Sequence, residues 1–386
     1  MNRLFFFIFI FIFSGCSSLT PLQRGKFIAV FHLIETSEFE DAKEIIEEMI
    51  EDEQSAEWAR TWYARGLLAQ NAWTEGKRKN ERKKFELYPD QLYVAIESYE
   101  KARELDTKGR FDRQLAPRYV LLANEFQKIG EQHFKGKKYD EAFRAFEQAL
   151  IITQSPILAV KTEKDLIYNT ALAAYESKNM EKAIKYFSKL NKKEYSVNVS
   201  HLLFTAYLEE GDTLSAEKAL TDGIERYEEN KELILLLIDL LYEKGETERA
   251  HKTVDEAAKT YPEEYIFPFT KGLIYQKEKQ YEKAIKSYKK AVKLAPDELT
   301  TYVNIATSYY NMGVEIEENT RQINSSLRVQ EERARSEASF ESAVEWLNKA
   351  YEKNTEDNTT LIRLYELYKS MGVSDKVRIM QGHINP

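Results

Sequence analysis

The stretch YIFPFTKGLIYQKEKQYEKAIKSYKKAVKLAPDE, Tyr265 to Glu298, decides the fold. Its small residues are Gly272, Ala284 and Ala291, its aromatic ones include Tyr275, Tyr281 and Tyr288, and Pro296 closes it. Small residues let two helices touch, and aromatic rings fill the space beside them. Moving back by 34 from positions 284, 291 and 296 lands on Ala250, Ala257 and Pro262. A second step of 34 lands on Ala216 and Gly223, preceded by Leu203 and Tyr207. A period of that length marks an array of supersecondary units.

This pattern resembles the tetratricopeptide repeat, and the resemblance covers most of the chain. Upstream it recurs in Phe126, Ile129, Gly130, His133, Tyr139, Ala142, Phe146 and Ala149, and more loosely in Ile167, Ala171, Ala183 and Phe187. Downstream it returns as Tyr302, Ile305, Ala306 and Tyr309, then Ala343, Leu347 and Ala350. Near the start, Trp62 and Gly66 match a first helix, Ala95, Tyr99 and Ala102 match a second helix, and the earliest unit shows only Phe39 and Ala42. The second-helix alanines stand at 42, 95, 142, 183, 216, 250, 284 and 343, which predicts about eight helix pairs, with a closing helix at about Thr359 to Met371. One such pair cannot bury its apolar face alone, so pairs stack. The resemblance implies an all-α, right-handed α-α superhelix with a concave groove, over residues 23–386. Scarce Gly (14) and Pro (8), with 31% charged residues, suit a helix-rich chain that needs few special turns.

Two insertions interrupt the period. Gly66 and Ala95 are too far apart by about 17 residues, over roughly 72–88. The insert carries Lys77, Arg78, Lys79, Arg82, Lys83 and Lys84, a candidate contact for an anionic headgroup or an acidic protein face. Trp73, Phe85 and Tyr88 flank it and offer a way to pack it back onto the array. Ala306 and Ala343 are too far apart by about 25 residues, over roughly 314–338. That insert lacks Pro and predicts a projecting helical hairpin closed by Ile316, Ile323, Leu327 and Val329.

The N-terminus reads differently. Arg3 is followed by ten apolar residues, Leu4 to Phe13. As a helix these would span roughly 15 Å, about half a bilayer core, so they read as a signal peptide over 1–15 rather than a membrane span. Phe13-Ser14-Gly15-Cys16 resembles the bacterial lipobox, in which the chain is cut before a cysteine that becomes lipid-modified. That implies lipid at Cys16, a tether over 16–22, and, with Ser17 next, the outer membrane of a Gram-negative cell facing the periplasm. Lipidation with more than one acyl chain anchors stably.

The sequence nominates no catalytic chemistry. His32, His133, His201, His251 and His383 show no metal-ligand spacing, and there is no glycine-rich phosphate loop. Cys16 is the only cysteine, so cysteine-based metal clusters and intrachain disulfides are excluded. No enzyme activity, metal or small-molecule cofactor is expected. A net charge of −8 disfavours nucleic acid as the main partner. Protein is the expected partner. In the family, five first-helix positions line the groove, and carrying them over places Leu235, Tyr242, Phe269, Leu273 and Tyr310 there, with Asp239 and Thr307. That mixture suits a peptide with apolar anchors. The asparagine of family members that clamp C-terminal carboxylates is missing at this offset. The expected function is thus a membrane-anchored scaffold or adaptor at the cell envelope, in assembly or secretion. The alternative is a glycan- or peptidoglycan-binding helical lipoprotein, against which stand only four tryptophans, Trp58, Trp62, Trp73 and Trp346, mostly on helices.

Overall fold

In a computed structural model of the chain, residues 20–158, 163–227 and 230–384 are described; the expected signal peptide and Cys16 lie outside them. Among these residues every regular element is a helix, and the helices gather into two compact units that divide between Tyr195 and Ser196. The first unit pairs α1 (Pro21–Thr36) with α2 (Phe39–Glu51). After the single turn α3 (Glu53–Ala56), α4 (Ala59–Lys79) and the short α5 (Arg82–Phe85) precede α6 (Gln91–Leu105). It continues with α7 (Asp112–Lys135) against α8 (Tyr139–Thr153) and α9 (Lys164–Glu176) against α10 (Met180–Asn191). The second unit pairs α11 (Val197–Glu209) with α12 (Thr213–Arg226), α13 (Lys231–Glu243) with α14 (Thr247–Thr260), and α15 (Ile266–Lys277) with α16 (Tyr281–Leu294). Then come α17 (Leu299–Thr320) with α18 (Ser326–Lys353), and α19 (Asn358–Ser370) with α20 (Ser374–Ile384).

The repeat alanines explain why the pairs form. All eight, Ala42, Ala95, Ala142, Ala183, Ala216, Ala250, Ala284 and Ala343, are fully buried. Glycines do the same from the first helices. A Cβ on Gly66 or Gly272 would stand 2.5 Å from the ring of Tyr99 or Tyr288, and one on Gly130 would stand 2.7 Å from Phe146. Gly66 therefore meets Tyr99 across the first insertion, as the repeat requires.

Seven of the turns inside the pairs share one form. Ser37, Lys137, Lys178, Gly211, Gly245, Lys279 and Gly372 all adopt the left-handed conformation. In each case the next residue donates its N–H to the carbonyl five positions back, as Gln280 does to Tyr275 at 2.8 Å and Asp212 to Tyr207 at 2.9 Å. This bond satisfies a carbonyl at the end of each first helix.

Two of the expected boundaries meet helices. α1 begins at Pro21, inside the segment 16–22 that was expected to be a tether. Thr20 accepts from the Gln23 N–H, the Gln23 side chain accepts in return from Thr20, and Pro21 suits the first helical position. The closing helix is present as α19, but α20 follows it and forms a further pair.

Candidate partner-binding surface

The expected groove residues all lie on first helices of the second unit: Leu235 and Tyr242 on α13, Phe269 and Leu273 on α15, and Tyr310 on α17. Tyr310 is 38% exposed. The other four are half-buried. Phe269 and Leu273 also serve the core, packing on Ala284, Ile285, Tyr288 and Ile305, with the Phe269 and Tyr288 rings 5.6 Å apart. The middle of α15 thus turns partly toward α16. The Lys277 ammonium lies 4.9 Å from the centre of the Tyr242 ring.

Polar bonds set the spacing of this face. Gln276 Oε1 accepts from the Tyr288 hydroxyl at 2.8 Å and from Ser308 Oγ at 3.0 Å, tying α15, α16 and α17 together. His201 Nδ1 on α11 lies 3.1 Å from Glu232 Oε1 on α13.

The most open part of the face is a cleft of about 540 Å³ between α17 and α19, with Thr307 and Tyr310 on one wall, Ile362, Arg363 and Glu366 on the other, and Leu347 from α18. Ile362 is 46% exposed. Sequence reasoning missed the α19 wall, although the signal was available. The same offsets, carried one repeat beyond the second insertion, fall on Ile362 and Glu366.

Half of the six cations of the first insertion are paired with its own carboxylates. It lengthens α4 to Lys79 and then folds back through α5. Lys84 pairs with Glu75 at 2.7 Å and Glu81 at 3.0 Å, Lys79 with Glu75 at 2.9 Å, and Arg82 with Glu86 at 2.7 Å. The Lys77 ammonium sits 4.6 Å from the Trp73 ring centre and 4.4 Å from that of Phe85. Arg78 and Lys83 are exposed and have no ion-pair partner among the described residues. Buried Gln91 donates to the carbonyls of Ala69 at 2.8 Å and Lys84 at 3.0 Å. Gly76 lets the returning backbone approach, since a Cβ there would lie 2.6 Å from the Phe85 nitrogen. Tyr88 is buried and donates to Glu47 at 2.8 Å. Hydrogen bonds from Lys84, Ser37 and Lys79 lower the Glu75 carboxyl to a pKa of about 2.

The second insertion is a helical hairpin made by lengthening α17 and α18. A Cβ on Gly313 would stand 2.8 Å from the Phe340 ring, and Ser336 Oγ donates to the Gly313 carbonyl at 2.9 Å. Ile316, Ile323 and Val329 are half-buried, but Leu327, expected to help close the tip, is 65% exposed. Among the described residues no group of three or more His, Cys, Asp or Glu side chains is placed to hold a metal ion.

Family models match three segments. Residues 272–313 match one described as "TPR repeat", and 207–266 and 165–194 match two described as "Tetratricopeptide repeat". These segments are tetratricopeptide-like. The tetratricopeptide match falls on α9 and α10 and on the helices that carry the groove residues, and repeats of this kind support contacts between proteins. Comparison with curated proteins finds no match. Similar solved structures include a TPR repeats protein from Bacteroides fragilis (20% identity, 64% of this chain and 98% of that one, TM-score 0.35). Another is the C-terminal part of a TPR repeat-containing protein from Cytophaga hutchinsonii (18% identity, 67% and 93%, TM-score 0.47). A third is the TPR2AB domain of yeast Sti1 in a pHSP90 complex (17% identity, 69% and 90%, TM-score 0.26).

Proposed function

We propose that this chain is a membrane-tethered scaffold of the cell envelope that holds protein partners on the first-helix face of its second unit. The observation that carries the reading is the cleft between α17 and α19, where Tyr310 and Ile362 stand open beside Arg363 and Glu366. An exposed aromatic and an exposed aliphatic residue flanked by opposite charges suit a peptide with an apolar anchor. Tethering through lipid on Cys16, at the outer membrane facing the periplasm, rests on the lipobox resemblance. It is supported by α1, the first helix of the array. An outermost helix in a stack needs a polar outer side. Here Leu22 is 72% exposed and Ile28 is 68% exposed, six and twelve residues after Cys16 in the sequence and suited to an interfacial position.

Nothing favours the glycan reading. Trp58 packs on Phe27, Trp62 donates to the Ala56 carbonyl, Trp73 packs on Phe85 and Trp346 on Tyr302, so each is engaged within the helical array.

The test combines Tyr310→Ala with Ile362→Ser in the full chain. Both side chains are partly open, with the Tyr310 ring 5.5 Å from that of Phe340, so the variant should stay folded with only a modest fall in melting temperature. A photo-crosslinker placed at Thr307 should capture discrete proteins in the parent and lose them in the double variant, because anchors of this kind carry much of an interface's energy. Undiminished crosslinks would rule out this cleft as the binding site.

A further inference from the structure

We infer that the exposed side of α16 is a second docking site, distinct from the first-helix face, for an acidic polypeptide segment that also carries apolar side chains. The helix buries Tyr281, Ala284, Ile285, Ser287, Tyr288 and Ala291. Its remaining positions hold Lys283, Lys286, Lys289, Lys290 and Lys293, against a single acid, Glu282. Lys283, Lys286, Lys290 and Lys293 follow one another at three- and four-residue steps, so they form one stripe roughly 15 Å long.

What separates this stripe from the other basic stretch is its lack of partners. In the Lys77–Lys84 run, three cations are held by carboxylates of the same insertion. On α16, Lys289 donates to the Tyr309 hydroxyl at 2.9 Å and Lys283 to Gln280 at 2.7 Å, both neutral groups. Lys286, Lys290 and Lys293 are exposed and make no ion pair or hydrogen bond among the described residues. Three acids around the stripe are engaged elsewhere, Asp255 with Lys271, Glu345 with Lys349 at 2.5 Å, and Asp297 with Lys353 at 3.1 Å, which leaves Glu282 as the one carboxylate of α16 facing its five lysines. Like charges at this spacing repel one another. A chain of net charge −8 thus concentrates uncompensated positive charge on one helix.

The stripe borders two clefts that mix lysines with apolar side chains. One, of about 500 Å³, brings Ile285, Tyr309 and Met312 together with four of the lysines and Glu282. The other, of about 450 Å³, brings Ala258, Pro262 and Leu294 together with Lys283, Lys286 and Lys290, and with Asp255, which is paired to Lys271. Ammonium groups beside apolar surface match a segment in which carboxylates alternate with apolar side chains. Lipid headgroups and nucleic acid backbones offer the charge without side chains for the clefts. The aromatic rings that could stack bases, Tyr309 and Trp346, are covered by Lys289, whose ammonium lies 5.3 and 5.6 Å from their centres.

The experiment uses the full chain and three probes: a fluorescent peptide of repeated Glu-Glu-Leu, a poly-glutamate of equal charge, and phosphatidylglycerol vesicles. The Glu-Glu-Leu peptide should bind more tightly than poly-glutamate. The triple variant Lys286→Glu, Lys290→Glu, Lys293→Glu should weaken it about tenfold or more at low ionic strength, whereas Tyr310→Ala with Ile362→Ser should leave it unchanged. Circular dichroism melts should show the triple variant folded, and Met312→Ser, which keeps every charge, should erase the preference over poly-glutamate. Equal binding of poly-glutamate, preferential binding of the vesicles, or indifference to the triple variant would each overturn the assignment.

Discussion

At the scale of single residues, the fold depends on side chains that are missing rather than present. Ala284 is fully buried in a cluster with Ile285, Tyr288 and Ile305. Ala284→Glu puts a charge there with no partner and should cost about 3–5 kcal/mol, read as a lowered melting temperature by circular dichroism. A melt like the parent's would mean that the helix register is wrong. These positions were legible in the sequence because a small residue at a fixed period has few explanations other than close helix packing. The groove residues were less legible. An offset places Phe269 and Leu273 on a helix face but does not say how far that face turns toward its neighbour, and here the core takes part of both. The unpaired lysines of α16 were invisible for a related reason: a sequence lists cations but not which carboxylates reach them.

At the scale of elements, the first insertion is pinned by Glu75, which joins the end of α4 to Lys79, Lys84 and Ser37. Its carboxyl is held at about 2, against an ordinary 4.5. A depressed carboxylate contributes stability that is present above about pH 4.5 and is lost as the pH falls toward 2. Glu75→Gln should therefore melt below the parent at neutral pH, and the two melting temperatures should converge through that window. Parallel curves across the titration would show that Glu75 is not coupled to stability. From the sequence, this segment's basic residues stood out and its acids did not. The period located the insertion because Gly66 and Tyr99 must still meet, but the compensating contacts made by Gly76, Gln91 and Glu75 obey no repeat and could not be read in advance.

At the scale of the whole molecule, the proposed function divides between the helix pairs, as binding faces, and the N-terminus, as a tether. Among the described residues no helix is long and apolar enough to cross a membrane. The proposed tether makes membrane association depend on lipid at Cys16. Cys16→Ser should abolish acyl labelling and move the protein from the membrane to the soluble fraction after cell lysis. Unaltered membrane retention in a parent that carries no acyl label would sink the tether. Two compact units dividing at Tyr195 and Ser196 also place both candidate surfaces, the α17–α19 cleft and the α16 stripe, on one side of that division.

The α17–α18 hairpin carries a different kind of consequence. Ala306 and Leu347 share one core cluster, and Gly313 meets Phe340 seven residues farther along each arm, which is two helical turns. The contact that closes an ordinary repeat is thus copied outward along the hairpin. Length can be added to such an arm only in matched steps of about seven residues on both strands, because any other increment swings Gly313 and Phe340 to different azimuths. The hairpin is in effect a ruler with one graduation marked. Descendants of this gene that lengthen or shorten it would be expected to do so by whole graduations, leaving the tip facing the same way at a new height.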